Sequence, residues 1–388
     1  MKIYKKVTMC RACSSKRLKK ILAFPDSAID GIYSKSYKAP LTLVFCKDCG
    51  QAQLKEIINP DLYKDYNFTS ENISVVKAWC NLLSAMIFSE YKRRKDILEI
   101  GSGDGYFAKL LSKKFSILCI EPSDKLVKTA RQNFKLKIIH DYFDENLILN
   151  KKFDIIIARH VMEHIEKLNE FVRKIIENIR ADGTIIIEVP DLREILLTNN
   201  YANLFHEHIN YFSPTNLSKL FEPYGFYPTK FLTNQVHGGA ICIFFSRSLK
   251  NKLIIEDNVS EKNLDKFSKE FLGYKNKMKN AALIINRYKN VCGYGAANKT
   301  FKLLSLMNLR KNRIRYIFDR NKNLHGQTIP QFGVKIVDPS KIKKISPELL
   351  VIFATSYEDE ILKELRLKYK YGNKFLSISG TPKIIKAN

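Results

Sequence analysis

Two short stretches of the chain pair histidine with glutamate: Arg159-His160-Val161-Met162-Glu163-His164 and Phe205-His206-Glu207-His208. Imidazole titrates near neutral pH and can serve as a general base, with an adjacent carboxylate to orient it. The first stretch contains H-x-x-E-H, a pattern that holds zinc in some proteases when a helix carries both histidines toward one metal and a further carboxylate follows downstream. His160, however, directly follows the apolar run Phe153 to Ala158, which reads as a strand. It therefore sits at a strand's carboxyl end, and the protease reading is set aside; the plain alternative is a hydrogen-bonded turn residue. The second stretch continues Ile209-Asn210-Tyr211-Phe212-Ser213 and follows the strand-like run Thr184 to Val189. It too falls on the carboxyl side, where open α/β sheets bind ligands; the alternative there is an exposed polar turn.

Four of the eight cysteines are patterned, as Cys10-x-x-Cys13 and Cys46-x-x-Cys49, with 32 residues between the pairs. Two such knuckles suit a tetrahedral metal, zinc above others. Gly50 follows the last cysteine, and a turn there lets backbone N–H groups point at the thiolates. A redox CxxC is the rival and would need only one pair followed by a helix. Cys80, Cys119, Cys242 and Cys292 stand alone among apolar residues and read as core.

Two glycine loops follow strand-like runs. Asp96 to Ile100 leads through Glu99 into Gly101-Ser102-Gly103-Asp104-Gly105, and a helical run begins at Tyr106. Glycines at such a turn allow tight backbone geometry and close ligand approach. Glu121 ends the next strand, Ser116 to Ile120, where a carboxylate can accept both hydroxyls of a ribose. The second loop, Gly293-Tyr294-Gly295-Ala296-Ala297-Asn298-Lys299, presents a glycine turn, a helix start and a lysine. That is anion-binding chemistry, suited to a diphosphate, although the spacing is not that of a Walker A loop. A structural lid is the alternative.

The elements that must position these groups are legible in outline. At 388 residues and 45% hydrophobic, the chain predicts two or three globular domains and excludes disordered, collagen-like and disulfide-scaffold classes. Residues 1–66 read as a small zinc module, 67–248 as an α/β domain, 249–285 as a connector helix and 286–388 as a second α/β domain. In the first α/β domain short apolar strands alternate with helices, which predicts a parallel sheet. Phe226 to Leu232 and Ala240 to Ser246 then form a hairpin around His237-Gly238-Gly239, giving seven strands with one antiparallel. The opening residues show no apolar signal segment and no run is long enough to span a membrane, so a cytoplasmic protein without a membrane partner is expected. The formal charge of +27 raises nucleic acid or anionic substrates as partners. The lysines are spread along the whole chain without a basic block or an aromatic RNA-binding motif, so no nucleic-acid partner is expected.

The segment Glu99-Ile100-Gly101-Ser102-Gly103-Asp104-Gly105, with Glu121 after it, resembles motif I of class I S-adenosylmethionine (SAM)-dependent methyltransferases. That resemblance implies a class I Rossmann-like fold whose loop wraps the methionine moiety, with Glu121 on the ribose, Asp141 near the adenine and His160 at the lip of the cofactor pocket. The full order of motifs is similar to the sugar C-methyltransferase family of the deoxysugar 3-C-methyltransferase type: two CxxC pairs, a methyltransferase core, His206-Glu207-His208-Ile209-Asn210-Tyr211-Phe212-Ser213 and His237-Gly238-Gly239. The family implies a zinc module, a methyltransferase core and a C-terminal Rossmann-like domain. It implies methylation of the carbon beside a 4-keto group on a nucleotide-linked sugar. His208 would be the base, Glu207 its neighbour, His164 a sugar contact and Tyr66 part of a tyrosine-rich lining. His237, Gly238 and Gly239, with Gly293, Gly295 and Lys299, would face the substrate.

This chain departs from the family where Phe205 and Phe68 stand in place of tyrosines, and in the C-terminal stretch Gln327 to Gly333. The second reading is therefore methylation of an oxygen or nitrogen on a surface-glycan precursor. The third is a zinc-containing protein that binds or methylates RNA. A monomer or weak homo-oligomer is expected.

Overall fold

The computed structural model describes residues 2–33, 35–63 and 74–386. Tyr66 and Phe68 lie outside the described residues.

The N-terminal module contributes five strands, β1 (Tyr4–Lys6), β2 (Leu18–Ala28), β3 (Lys38–Cys46), β4 (Ala52–Leu54) and β5 (Glu56–Ile58). β2, β3 and β4 form an antiparallel meander, and β1 pairs with β5. The cysteine knuckles stand at the amino end of β2 and the carboxyl end of β3.

The central domain runs α1 (Ser74–Glu90), β6 (Asp96–Ile100), α2 (Tyr106–Leu111), β7 (Ser116–Ile120), α3 (Asp124–Phe134), β8 (Ile138–Ile139), β9 (Phe153–Arg159), α4 (Leu168–Asn178), β10 (Ile179–Pro190), α5 (Leu192–Leu197), β11 (Asn210–Tyr211), α6 (Pro214–Phe221), β12 (Tyr227–Asn234) and β13 (Ala240–Ser246). Seven of these strands form one sheet in the order β12-β13-β10-β9-β6-β7-β8. β13 is antiparallel to both its neighbours, and the other pairings are parallel. This is the class I SAM methyltransferase Rossmann-like fold. A parallel sheet covered by helices is apolar on both faces, and β9 accordingly buries every residue from Phe153 to Ala158. α4 buries Leu168, Phe171, Val172 and Ile175, one stripe at helical spacing.

β11 leaves this sheet. It pairs with β4 and extends the N-terminal meander to the order β11-β4-β3-β2. The chain just after the His206-Glu207-His208 turn is therefore a strand of the N-terminal module.

Residues 249–285 are a helix only in their second part. The stretch before Glu261 is irregular and returns along the core, with the Leu253 N–H donating to the Pro228 carbonyl at 2.7 Å. α7 (Glu261–Asn286) is more than a connector. Its Leu264, Phe267 and Phe271 complete the apolar core of the N-terminal module with Leu22, Phe24 and Leu43. A module of this size cannot bury enough surface alone, so a neighbouring helix closes it.

The C-terminal domain comprises β14 (Val291–Tyr294), α8 (Asn298–Met307), β15 (Tyr316–Phe318), β16 (Thr328–Ile329), β17 (Val334–Val337), α9 (Ile342–Ile345), β18 (Leu349–Ile352), α10 (Glu358–Leu367), β19 (Lys374–Ser377) and β20 (Lys383–Lys386). Its sheet has the order β16-β17-β15-β14-β18-β19-β20, parallel inside and antiparallel at both edge pairs. No helix among the described residues is long and apolar enough to cross a membrane.

Candidate active site at the junction of the three domains

The loop between β6 and α2 holds Gly101, Gly103 and Gly105 at φ of 68°, 58° and 78°, the left-handed region that glycine alone enters freely. A Cβ on Gly101 would clash with Cγ2 of Val161, whereas one on Gly103 would meet nothing within 4 Å. Gly101 is thus a packing requirement, and Gly103 faces open space. Glu121 braces the loop: Oε2 accepts from the Gly103 N–H at 2.8 Å and Oε1 from the Ser123 N–H at 2.9 Å. Glu99 Oε2 and Ser102 Oγ are buried without a hydrogen-bond partner. An open cradle edged by unpaired buried polar atoms fits the polar end of a cofactor such as SAM. Asp141 is exposed just after β8, and its Oδ1 accepts from the Tyr142 N–H at 2.8 Å.

Gly101→Ala combines positive φ with a steric clash, so it should lower stability by about 1–3 kcal/mol. A lower melting temperature and weaker SAM binding by calorimetry are expected; wild-type values for both would contradict this account of the loop.

His160 follows β9 at φ of 53°, with its N–H donating to the Glu188 carbonyl at 2.7 Å. Its Nδ1 is 3.4 Å from Glu163 Oε1 and its Nε2 is 3.4 Å from Glu188 Oε1. Burial lowers its pKa, but the two carboxylates outweigh burial and push it up to about 9. Arg159 donates from Nε to Glu188 Oε2 at 2.5 Å, and Asn234 Nδ2 donates to Glu188 Oε1 at 2.9 Å. Arg159 and His160 hold the fully buried Glu188 ionised, well below the usual carboxylate range in spite of its burial.

The two histidine–glutamate stretches meet. Met162–His164 form one 3-10 turn instead of the helix that a protease motif requires. The Ile209 N–H donates to the Glu163 carbonyl at 2.8 Å, and Asn210 Nδ2 donates to the Met162 and Ile165 carbonyls at 3.1 and 2.7 Å. His164 Nδ1 donates to the Glu207 carbonyl at 2.8 Å. The His164 and His208 rings lie 4.9 Å apart, and the Phe205 ring lies 4.0 Å from that of His208. Burial, then the neighbouring His164, His160, His237 and Lys299, drives the pKa of His208 well down, so its imidazole is neutral.

Residues that the sequence did not mark complete the junction. Asp30, from the N-terminal module, is fully buried. Its Oδ2 accepts from both the backbone N–H and Nδ1 of His206, at 3.1 and 3.0 Å. Asn298, at the start of α8, donates from Nδ2 to Glu207 Oε2. Burial, then the charge of Asp30, pushes Glu207 up to about 8. Asp30 lies 176 residues before His206, and no local spacing announces the contact.

From the C-terminal side, Lys299 Nζ donates to the His237 carbonyl at 2.8 Å and to Ser356 Oγ at 3.0 Å. Burial lowers its pKa to about 8. The His160 and His237 rings are 5.0 Å apart, so Lys299, His237, His160, His164 and His208 form one neighbourhood. Gly238 lies under this lysine, where a Cβ would come within 2.8 Å of Ser356 Oγ and 3.2 Å of Lys299 Nζ. Gly239 packs on Glu194, and Gly293 and Gly295 pack on Phe353 and Ala354 at 2.5 and 2.6 Å from a would-be Cβ. These last glycines meet protein, and Asn298 and Lys299 are the residues by which their loop reaches the junction.

Three raised pKa values make stability pH-dependent. Burial pushes Glu99 up to about 8 from 4.5, Glu207 moves alike, and His160 rises from 6.5 to about 9. The folded protein keeps each proton that the unfolded chain releases earlier, so each contribution is present below the unfolded pKa and is lost as pH rises through the folded one. His208 and His237 are shifted down, and their contributions are lost as pH falls below about 6.5. Between pH 4.5 and 6.5 the two carboxyls and the two depressed histidines oppose one another; above 6.5 all three raised groups act in one direction. The melting temperature of metal-loaded protein should therefore fall by a few degrees from about pH 6.5 toward pH 8. Glu207→Gln should flatten that decline. A melting temperature that is level or rising over this interval would contradict it.

The four patterned cysteines come together, with their sulfurs within 4.8 Å of one another. Cys10 and Cys49 Sγ are 3.5 Å apart, and Cys13 and Cys46 Sγ are 3.6 Å apart. Zinc–sulfur bonds of about 2.3 Å in a tetrahedron place sulfurs about 3.8 Å apart, so the set fits one zinc ion. Backbone N–H groups of Ala12 and Cys13 reach the Cys10 sulfur, that of Ser15 reaches Cys13 and that of Gln51 reaches Cys49. Arg11, inside the first knuckle, donates from Nη1 to the Leu54 and Ile209 carbonyls at 2.9 and 3.1 Å. The metal knuckle is thereby one residue removed from a clamp on the peptide that follows His208. The four isolated cysteines are all buried.

Comparison with known proteins agrees with this architecture. Residues 72–230 match the family described as "Methyltransferase domain", 235–378 the "C-methyltransferase C-terminal domain" and 10–63 the "Putative zinc binding domain". The chain is similar to the C-methyltransferase NovU of Streptomyces niveus, 23% identical over 90% of this chain and 88% of that protein. A malonyl-[acyl-carrier protein] O-methyltransferase of Acetivibrio thermocellus is 29% identical over 29% of this chain and 41% of its own length. Among solved structures, the PH0226 protein of Pyrococcus horikoshii OT3 aligns at a TM-score of 0.40 and 18% identity, covering 47% of this chain and 95% of that one.

Proposed function

We propose that this SAM-dependent methyltransferase, similar to the C-methyltransferase NovU, transfers a methyl group to a carbon beside the keto group of a nucleotide-linked deoxysugar, with His208 as the base. One observation carries the reading: the His208 imidazole, packed against Phe205 and His164 and driven toward its neutral form by burial, stands at the junction of all three domains, on the side of the sheet where β6 and β9 end. SAM held by Glu99, the glycine loop and Glu121 supplies an electrophilic methyl group.

The residues of the chain do the rest. A proton alpha to a carbonyl must be taken, and the resulting enolate stabilised. His208 takes the proton. His164 has its Nδ1 fixed on the Glu207 carbonyl and contacts the sugar. Glu207, protonated at neutral pH beneath Asp30, can donate a hydrogen bond to an oxygen. Lys299 and the start of α8 receive the diphosphate, and His237, Gly238 and Gly239 form the wall beside them. Asp141 lies toward the adenine and His160 at the lip of the cofactor pocket. Tyr66 belongs to the sugar lining in this reading.

Phe205 favours a second reading, methylation of an oxygen or nitrogen on a glycan precursor. Its ring packs on His208 where a tyrosine would offer a phenol to an enolate.

The test incubates protein, SAM and a panel of nucleotide-linked sugars, 4-keto-6-deoxy forms included, in deuterated water. Mass spectrometry reads the methyl gain and NMR locates it. A carbon-bound methyl with deuterium exchange beside the ketone supports the first reading. A methyl on oxygen or nitrogen without exchange replaces it with the second, and transfer to no sugar overturns both.

A further inference from the structure

Apart from the four cysteines, the described residues bring together a second set of metal-ligating atoms. One carboxylate oxygen of Glu163 and one ring nitrogen each of His164 and His208 lie within 4.8 Å of one another. Glu163 is 1% exposed; its Oε1 is paired with His160, and its Oε2 makes no hydrogen bond. Oε1 has His160 Nδ1 at 3.4 Å, whereas Oε2 is buried without a donor. A buried carboxylate oxygen without a donor is costly, and His160 reaches only the other oxygen of Glu163. His164 points the same way. Its Nδ1–H is committed to the Glu207 carbonyl at 2.8 Å, which leaves Nε2 with the lone pair. An imidazole anchored by one nitrogen on a carbonyl is the usual state of a metal-binding histidine. His164 is exposed and His208 half-buried, so the set opens on the cleft and leaves coordination positions free.

We propose that Glu163, His164 and His208 bind one divalent transition-metal ion, and that an ion bound there silences His208. Two imidazoles and a carboxylate suit zinc, cobalt or nickel better than magnesium or calcium. A neutral imidazole has a single basic lone pair; once it is given to a metal it cannot take a proton. The silencing rests on the reading of His208 as the base, while the binding does not.

The test uses the full chain, dialysed against a chelator until only the cysteine-bound metal remains, and then titrated with Co2+. A second equivalent should bind, with d–d bands and no added thiolate charge transfer. Glu163→Gln and His164→Ala should each lose that equivalent and keep the first. The exposed His164 keeps the test valid if the buried substitution harms folding. At saturation, deuterium exchange into the keto sugar should fall by roughly tenfold or more and recover on chelation. A single equivalent, or a second that survives both substitutions, overturns the site. A second equivalent with exchange unchanged or faster overturns the silencing. Absence of exchange in the metal-free enzyme overturns the base reading and the silencing with it, and the site is then judged on stoichiometry alone.

Discussion

His208→Ala should reduce methyl transfer by about 10²–10⁴-fold, the range that a positioned general base contributes. Deuterium exchange beside the ketone should fall with it, while SAM affinity and melting temperature stay near wild type. The separation follows from the geometry. The loop that fits the cofactor is braced by Glu121 at the Gly103 and Ser123 N–H groups, and none of those bonds involves His208. The His208 ring is half-buried between Phe205 and His164, at 4.0 and 4.9 Å between ring centres, and its loss leaves room at the cleft rather than a hole in the core. Transfer at the wild-type rate in this variant would remove His208 from the chemistry. Loss of transfer together with loss of SAM binding would mean that the substitution damages the cofactor site instead.

The second large effect concerns the cysteine metal. Structural zinc contributes about 10–16 kcal/mol to the folding of small zinc modules at neutral pH. Cys46→Ser, or removal of the metal with a strong chelator, should therefore unfold the N-terminal module below the temperature at which the rest melts. Cys46 is completely buried and its sulfur lies within 4.8 Å of the three other patterned sulfurs, so a serine there leaves a tetrahedral zinc one thiolate short. The consequence reaches the active site. Arg11 holds the Ile209 carbonyl, β4 pairs with β11, and Asp30 pins His206, and all three anchors come from the module. Methyl transfer should drop by roughly tenfold or more, because the turn that carries the proposed base loses its alignment when displaced by about 1 Å. SAM binding should persist, since the cofactor loop rests on the central sheet. Calorimetry should show a separate early transition, and an unchanged single transition with full activity in Cys46→Ser would refute the coupling.

What is legible in the sequence is local. Gly101, Gly103 and Gly105 announce a turn because positive φ is written in residue type, and Glu121 follows at the end of the next strand. Two CxxC pairs announce a metal because thiolate spacing is itself the ligand geometry. The alternation of apolar strands and helices gives the parallel sheet, and a late hairpin gives its antiparallel strand. Residues 249–285 were readable only in part. Helical spacing at Phe267 and Phe271 marks the helix, but nothing in the spacing says that these rings close the core of a module more than 200 residues earlier.

The chemistry of the two histidine–glutamate stretches could be recognised in each, but not their meeting. His164 and His208 are 44 residues apart in sequence, and what places their rings side by side is the lacing of Asn210 and Ile209 onto the Met162–His164 turn. Asp30 reaches His206 and Asn298 reaches Glu207, each from another domain, which no periodicity encodes. The sequence by itself determined the sheet, the cofactor loop and the metal knuckles, because each depends on interactions within a few residues or on the period of one element. Only the tertiary structure decided the protonation of Glu207 and His208 and the partners of His206. A pKa is set by burial and by charges brought from elsewhere in the chain, and both exist only once the three domains have closed on one another.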